Sequence, residues 1–237
     1  MATGSEPIPQ YRIPVTKERV FRAAIAVADA GGIDALTMRK VADELDVEPM
    51  SLYYHVANKA AILDGVVEAL VSDIEDAVGR LDPLPDTADW KTSLRRRILT
   101  ARDVMLRHRW APALFESRTD DVGPATMRYF DAVLGHFRQG NFSYDLAHHA
   151  LHALGSRVLG FTQELFESDD EQSEEQSMAA LEQMADQFPN ITQMMKEIAP
   201  HAHDDPESTL GFCDDQAEFE FALDLILDGL ERIHESA

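Results

Sequence analysis

Ser51, Tyr53, Tyr54 and His55 stand within five residues of one another, with Met50 before them, Arg39 upstream and Lys59 just behind. Hydroxyl, imidazole, guanidinium and ammonium groups are the set that donates to phosphate oxygens and to base edges in a DNA groove. A Tyr-Tyr-His run on a short, otherwise polar stretch is poorly explained as core; the bland alternative is a small three-helix packing unit with exposed aromatics. His148 and His152 lie four apart, a spacing that lets two imidazoles on one helix face chelate a metal. A third ligand is not evident, since Glu164 is three turns away. Histidines of a pocket or an interface are therefore preferred to a metal site. His201, His203, Asp204 and Asp205 form another metal-like cluster, but on a loop-like segment, where solvated surface is the simpler account. Gly155-Ser156 lacks the G-x-S-x-G context of a nucleophile elbow. No catalytic residue, metal or cofactor is expected.

Positioning such groups requires helices, and the chain reads as helical nearly throughout. Thr16 can cap a helix over about 16–30, with Val20, Ala23, Ala24, Val27 and Ala28 at helical spacing and Gly31-Gly32 as its stop. A short helix follows from Thr37, with Val41, Ala42 and Leu45 on one face. Asp46 falls where the chain must turn sharply, and Asp tolerates the left-handed conformation better than most residues. Pro49 suits the first position of the next helix, and Leu52 and Val56 can close a small core. Asn58 can cap a fourth helix carrying Ile62, Leu63, Val66, Val67 and Leu70. This is the pattern of a helix-turn-helix whose second helix enters a major groove. Asp82-Pro83-Leu84-Pro85-Asp86 then punctuates the chain. Helices are expected at about 88–108, 122–140 and 144–166, at 177–198 with a break or bend at Pro189, and at 215–234. Residues 167–176 and 199–215 read as loops. The fold class is all-α: a flexible tail over 1–14, a three-helix DNA-binding domain over 15–65, and a larger helical regulatory and dimerisation domain over 66–237.

The 237 residues are 45 % apolar, enough for a sizeable core. Residues 1–14 lack the apolar run of a signal peptide, and no stretch approaches the ~18 apolar residues of a membrane span. The single cysteine, Cys213, excludes an internal disulfide. A cytoplasmic protein away from membranes is expected. The net charge of -22 argues against DNA contact, but its distribution softens the objection. Residues 1–70 hold 7 Lys/Arg against 10 Asp/Glu, and residues 71–163 hold 12 of each; residues 164–237 hold 2 against 21.

The stretch 17–70, through AGGIDALTMRKVADEL and DVEPMSLYYHVANKAAILD, resembles the DNA-binding domain of the TetR family of repressors. NFSYDLAHHALHALGSRVLGF at 141–161 and FEFALDLILDGLERI at 219–233 resemble the tetracycline-repressor subgroup of that family. The resemblance implies that Thr37 and Arg39 meet the DNA backbone or a base. It implies that Ser51, Tyr53, His55 and Lys59 are recognition-helix and phosphate contacts, with Tyr54 at the family's Trp. Met38, Pro49 and Met50 depart from the subgroup, which implies a different operator. The implied partners are a palindromic double-stranded operator, a small-molecule effector and a second copy of the chain.

The final helix is apolar on more than one side, which suggests a second buried face against a partner chain. The resemblance implies that it pairs with the helix at about 145–166 in a four-helix dimer interface. The expected contacts are Leu146, Ala150, Leu154 and Val158 on one helix, and Leu223, Ile226, Leu227 and Leu230 on the other. Pocket candidates in the middle helices are Arg97, Met105, Trp110, Phe115 and Arg118, followed by Phe130, Phe137, His152, Gln163 and Glu164. Together they fit a mostly apolar cavity with a few polar groups. In the subgroup a histidine helps hold a magnesium–tetracycline chelate; its equivalent here falls at Leu114 or Phe115, neither of which can ligate magnesium. An apolar or cationic organic effector is expected instead, with Glu164 as a possible counter-charge. The rival functions are a metal-dependent hydrolase built on His148, His152 and Glu164, and an acidic protein-binding adaptor.

Overall fold

Three N-terminal helices begin where a polar side chain satisfies a backbone N–H that the helix itself leaves unpaired. Thr16 accepts from the Arg19 N–H at 3.2 Å and opens α1 (Lys17–Gly31). Thr37 accepts from Lys40 at 3.2 Å and opens α2 (Met38–Glu44). Asn58 accepts from Ala61 at 2.9 Å and opens α4 (Lys59–Gly79). Between the last two lies α3 (Pro49–Leu52), with proline in its first turn. Gly32, at φ 77, ends α1, and its N–H returns to the Ala28 carbonyl at 2.7 Å. A single 3-10 turn, Ile33–Ala35, leads to α2.

The computed structural model describes residues 14–85, 88–118, 122–160, 185–198 and 215–236. Beyond α4 come α5 (Trp90–Leu106), α6 (Ala111–Glu116), α7 (Pro124–Gln139), α8 (Tyr144–Gly160), α9 (Pro189–Ile198) and α10 (Asp215–Glu235). Among the described residues there is no strand, and no helix is long and apolar enough to cross a membrane. Pro189 stands at the start of α9 rather than bending a longer helix, because its missing N–H costs nothing in a first turn. The short α6 was not anticipated as a separate helix.

The chain divides into two compact units. The first comprises Met1–Leu81 with Arg107–Asp131, the second Asp82–Leu106 with Ala132–Ala237. In the first, Val20, Ala24 and Ala28 of α1 are fully buried, as are Ile62, Val66 and Leu70 of α4. Gly65 permits the close passage of these two helices: a Cβ there would lie 2.1 Å from the Phe21 ring. Carboxylates then tie the later segment of the unit to α1 and α4. Asp29 accepts from the Trp110 indole at 2.7 Å and faces His108 Nδ1 at 2.8 Å. Asp64 pairs with Arg118 at 3.2 Å. Glu68 accepts from the Ala125 and Thr126 N–H groups at 2.6 and 3.1 Å, capping α7 from another helix.

The second unit is organised by an aromatic cluster and an ionic ladder. Trp90 and Phe137 lie 4.6 and 5.3 Å from the Phe142 ring. The turn between α7 and α8 uses Gly140 and Asn141: Asn141 adopts φ 64, and a Cβ at Gly140 would come 2.5 Å from the Trp90 ring. α10 presents three faces. Phe219, Leu223, Leu227 and Leu230 are buried. On one flank, Arg95 binds Asp224 at 2.6 Å and Glu220 at 2.7 Å, and Lys91 binds Glu231 at 2.8 Å. Gln216 and Arg95 hold the Glu220 carboxyl below the usual carboxylate range, and Lys91 does the same for Asp228. The remaining face carries Phe221, Leu225 and Ile233, which are 63, 54 and 56 % exposed.

Candidate nucleic-acid interface

α2 and α3 form a two-helix corner whose sharpness is set by Asp46. Its φ of 53 is the left-handed conformation, and the Val47 N–H closes back on the Ala42 carbonyl at 3.0 Å. Val41, Ala42, Leu52 and Val56 are buried beneath the corner. Backbone bonds from His55 and Val56 to the Leu52 carbonyl, both 2.9 Å, carry the helical turn past the end of α3. With Leu52 and Val56 held inward, the intervening residues must face out. Met50 is 71 % exposed, Tyr53 49 % and Tyr54 89 %, while Ser51 and His55 are half-buried. Met50, Tyr53 and Tyr54 are thus exposed close together in sequence with polar residues around them, the character of an interaction surface.

Thr37, Arg39 and Lys59 are exposed on the same small unit. Thr37 spends one lone pair on its cap, so its hydroxyl proton remains available to an outside acceptor. Lys59 is the first residue of α4, directly after the Asn58 cap. Arg39 lines a surface groove with Asp43, Asp46, Val47, Glu48 and Pro49. The acidic members of that groove limit non-specific attraction to a polyanion, so binding must rest on a few placed contacts. The corner therefore offers aromatic and hydroxyl groups at its tip and cations beside it, the composition suited to a groove.

The pocket candidates fall in both units. Trp110, Phe115, Arg118 and Phe130 belong to the first; Arg97, Met105, Phe137 and His152 belong to the second. Phe130 is 41 % exposed, and His152 lies on the exposed face of α8. Phe137 is core, packed in the aromatic cluster. Trp110 and Arg118 are engaged with Asp29 and Asp64. Arg97 and Met105 are buried. Gln163 and Glu164 lie outside the described residues, as do His201 and His203.

The expected dimer contacts differ in their burial within the single chain. Leu223, Leu227 and Leu230 are buried within a single chain, as are Ala150 and Leu154. Ile226, Leu146 and Val158 are half-buried. The apolar side chains of α10 that face out are Phe221, Leu225 and Ile233. Sequence reasoning saw that this helix had apolar side chains to spare, and these three are the exposed ones. It also missed Asp29, Asp64 and Glu68, whose signal is a carboxylate beside the apolar positions of α1 and α4.

Residues 20–66 match the family model described as "Bacterial regulatory proteins, tetR family", and residues 82–233 match "Tetracyclin repressor-like, C-terminal domain". Tetracycline repressor protein class C of Escherichia coli is 28 % identical over 221 residues, covering 92 % of this chain and 91 % of that one. Apo ActR from Streptomyces coelicolor superposes with a TM-score of 0.71 at 26 % identity, covering 92 % of this chain and 95 % of that one. ActR in complex with (S)-DNPA gives a TM-score of 0.69 at 26 % identity, covering 93 and 98 %.

Proposed function

The chain belongs to the TetR family of bacterial transcriptional regulators, and from that premise we propose that it is a homodimeric repressor released from a palindromic operator by a small organic molecule. It is a regulator and not an enzyme. The observation that carries the reading is the exposed Tyr53-Tyr54 pair, held over buried Leu52 and Val56 with Arg39 and Lys59 alongside. In the bound state Ser51, Tyr53 and His55 reach base edges, while Thr37 and Lys59 hold the backbone. A dimer places two such corners on successive half-sites. The surface for the second copy is the outward stripe of α10 together with the half-buried Leu146 and Val158 of α8.

The test begins with selection of bound duplexes from a random pool, to obtain the operator. Tyr53→Ala and His55→Ala should each weaken it by about 1–3 kcal/mol and relax specificity at one position. Lys59→Ala should weaken all sequences alike. Operator affinity unchanged in both Tyr53→Ala and His55→Ala would show that this face does not dock.

The effector we propose is an apolar or cationic organic molecule rather than a magnesium chelate. Leu114 is buried and Phe115 half-buried, and neither offers an oxygen to magnesium. By linkage the effector weakens operator binding only as far as it prefers the non-binding arrangement of the two corners. Calorimetry with tetracycline is expected to give no micromolar binding with or without magnesium. Magnesium-dependent binding would overturn this choice of effector and leave the DNA reading standing.

A further inference from the structure

His148, His149 and His152 are all exposed on α8, and none is used by the DNA-binding corner or the aromatic cluster. Among the described residues, ring contacts are the only interactions of His148 and His152. An interior pocket does not account for them, since both rings meet solvent. Their ring centroids are 4.7 Å apart with the planes at 79°. Two imidazole nitrogens bound to one cation at about 2.1 Å require centroids between about 4.6 and 5.3 Å, the span from a right angle to the tetrahedral angle. The pair already has that separation, and rotation of the exposed rings about their side-chain bonds is what would bring a nitrogen of each onto one cation. His149 is next to His148 in sequence and therefore points about 100° away around the helix; its ring lies 6.0 Å from that of His148.

We propose that His148 and His152 form a chelating site for a borderline divalent transition cation, of the class of zinc, nickel, cobalt or copper. Neutral imidazole selects these ions over magnesium and calcium, which demand oxygen ligands. No group of three metal-binding side chains occurs among the described residues, so the site proposed within them has two protein ligands, with water to complete the coordination. Such a site is open and exchangeable, unlike a closed structural zinc site. It stands independently of the DNA reading, because it needs only one turn of α8.

The test is titration of the full-length, untagged chain with nickel or zinc chloride alone after chelator treatment. His201→Ala/His203→Ala is the background, which removes the other histidine cluster. Calorimetry should register a saturable site in the micromolar range, and magnesium should register none. His148→Ala and His152→Ala should each lower affinity at least about tenfold, because the second ligand acts at high effective concentration once the first is bound. His149→Ala should retain the affinity. Cobalt substitution gives a second readout through its ligand-field absorption, which should be lost with either chelating histidine. All three rings are exposed, so the variants fold as the parent does. Binding that persists in the His148→Ala/His152→Ala double variant, or no binding below millimolar metal, would overturn the proposal.

Discussion

Replacing Leu225 with Glu is expected to leave the chain folded and convert it to a monomer. Leu225 is 54 % exposed in the single chain, so a carboxylate there remains hydrated and folding loses little. In the proposed dimer the same carboxylate would enter an apolar surface made with Phe221 and Ile233, both exposed in the single chain, and a dyad would repeat the insult on the partner. Burying an unpaired charge costs several kcal/mol even after relaxation, on the order of the whole margin of a modest interface. Gly229 lies midway along the stripe, and a Cβ there would touch nothing in the chain. A second helix can therefore approach closely at that point. Sedimentation should show monomers at concentrations where the parent is a dimer. Operator affinity should fall at least about 100-fold, the loss expected when two tethered half-site contacts become independent. Leu223→Glu supplies the contrast: Leu223 is fully buried within its own chain, so that variant should lose thermal stability as well. A Leu225→Glu protein that still sediments as a dimer would move the interface elsewhere.

The difference between Leu223 and Leu225 also marks the limit of what the sequence could say. A helix whose inward and outward stripes are both apolar has no period-3.6 signal to tell them apart. Here the ladder of Arg95 and Lys91 with Glu220, Asp224 and Glu231 fixes the rotation of α10, and those partners are over 120 residues apart. The same holds for Asp29 and Glu68, whose roles exist only once Trp110 and the start of α7 have returned to α1 and α4. The corner itself was legible because its determinants are local. Thr37 and Asn58 cap the helices that they precede, Asp46 takes the positive φ that a sharp turn needs, and Pro49 starts the next helix. The exposure of His152 and Phe130 was not legible, because residue type reports chemistry without reporting the face on which it sits.

Gly65→Ala is expected to destabilise the chain, although intrinsic helix propensity alone predicts the opposite. Removing a glycine from a helix interior is worth about 1 kcal/mol in favour of Ala. Gly65 is buried on α4, however, and the new Cβ would stand 2.1 Å from two carbons of the Phe21 ring and 2.5 Å from a third. Such an approach cannot be absorbed without moving the ring or α1, and overpacking of this kind costs about 1–3 kcal/mol. Val at position 65 adds bulk on the same side, which should take the cost to the top of that range. The displaced helix is functional: α1 carries Asp29, the acceptor for Trp110, and it packs beneath the corner that holds Tyr53 and His55. Gly65→Val should therefore lower operator affinity as well as the unfolding midpoint. The assignment to Phe21 is checked by a double-mutant cycle. In a Phe21→Ala background the space opens, the clash term vanishes, and Gly65→Ala should become stabilising by the propensity term of about 1 kcal/mol. A Gly65→Ala chain as stable as the parent with Phe21 in place would mean that α1 and α4 do not pass as closely as the structure has them.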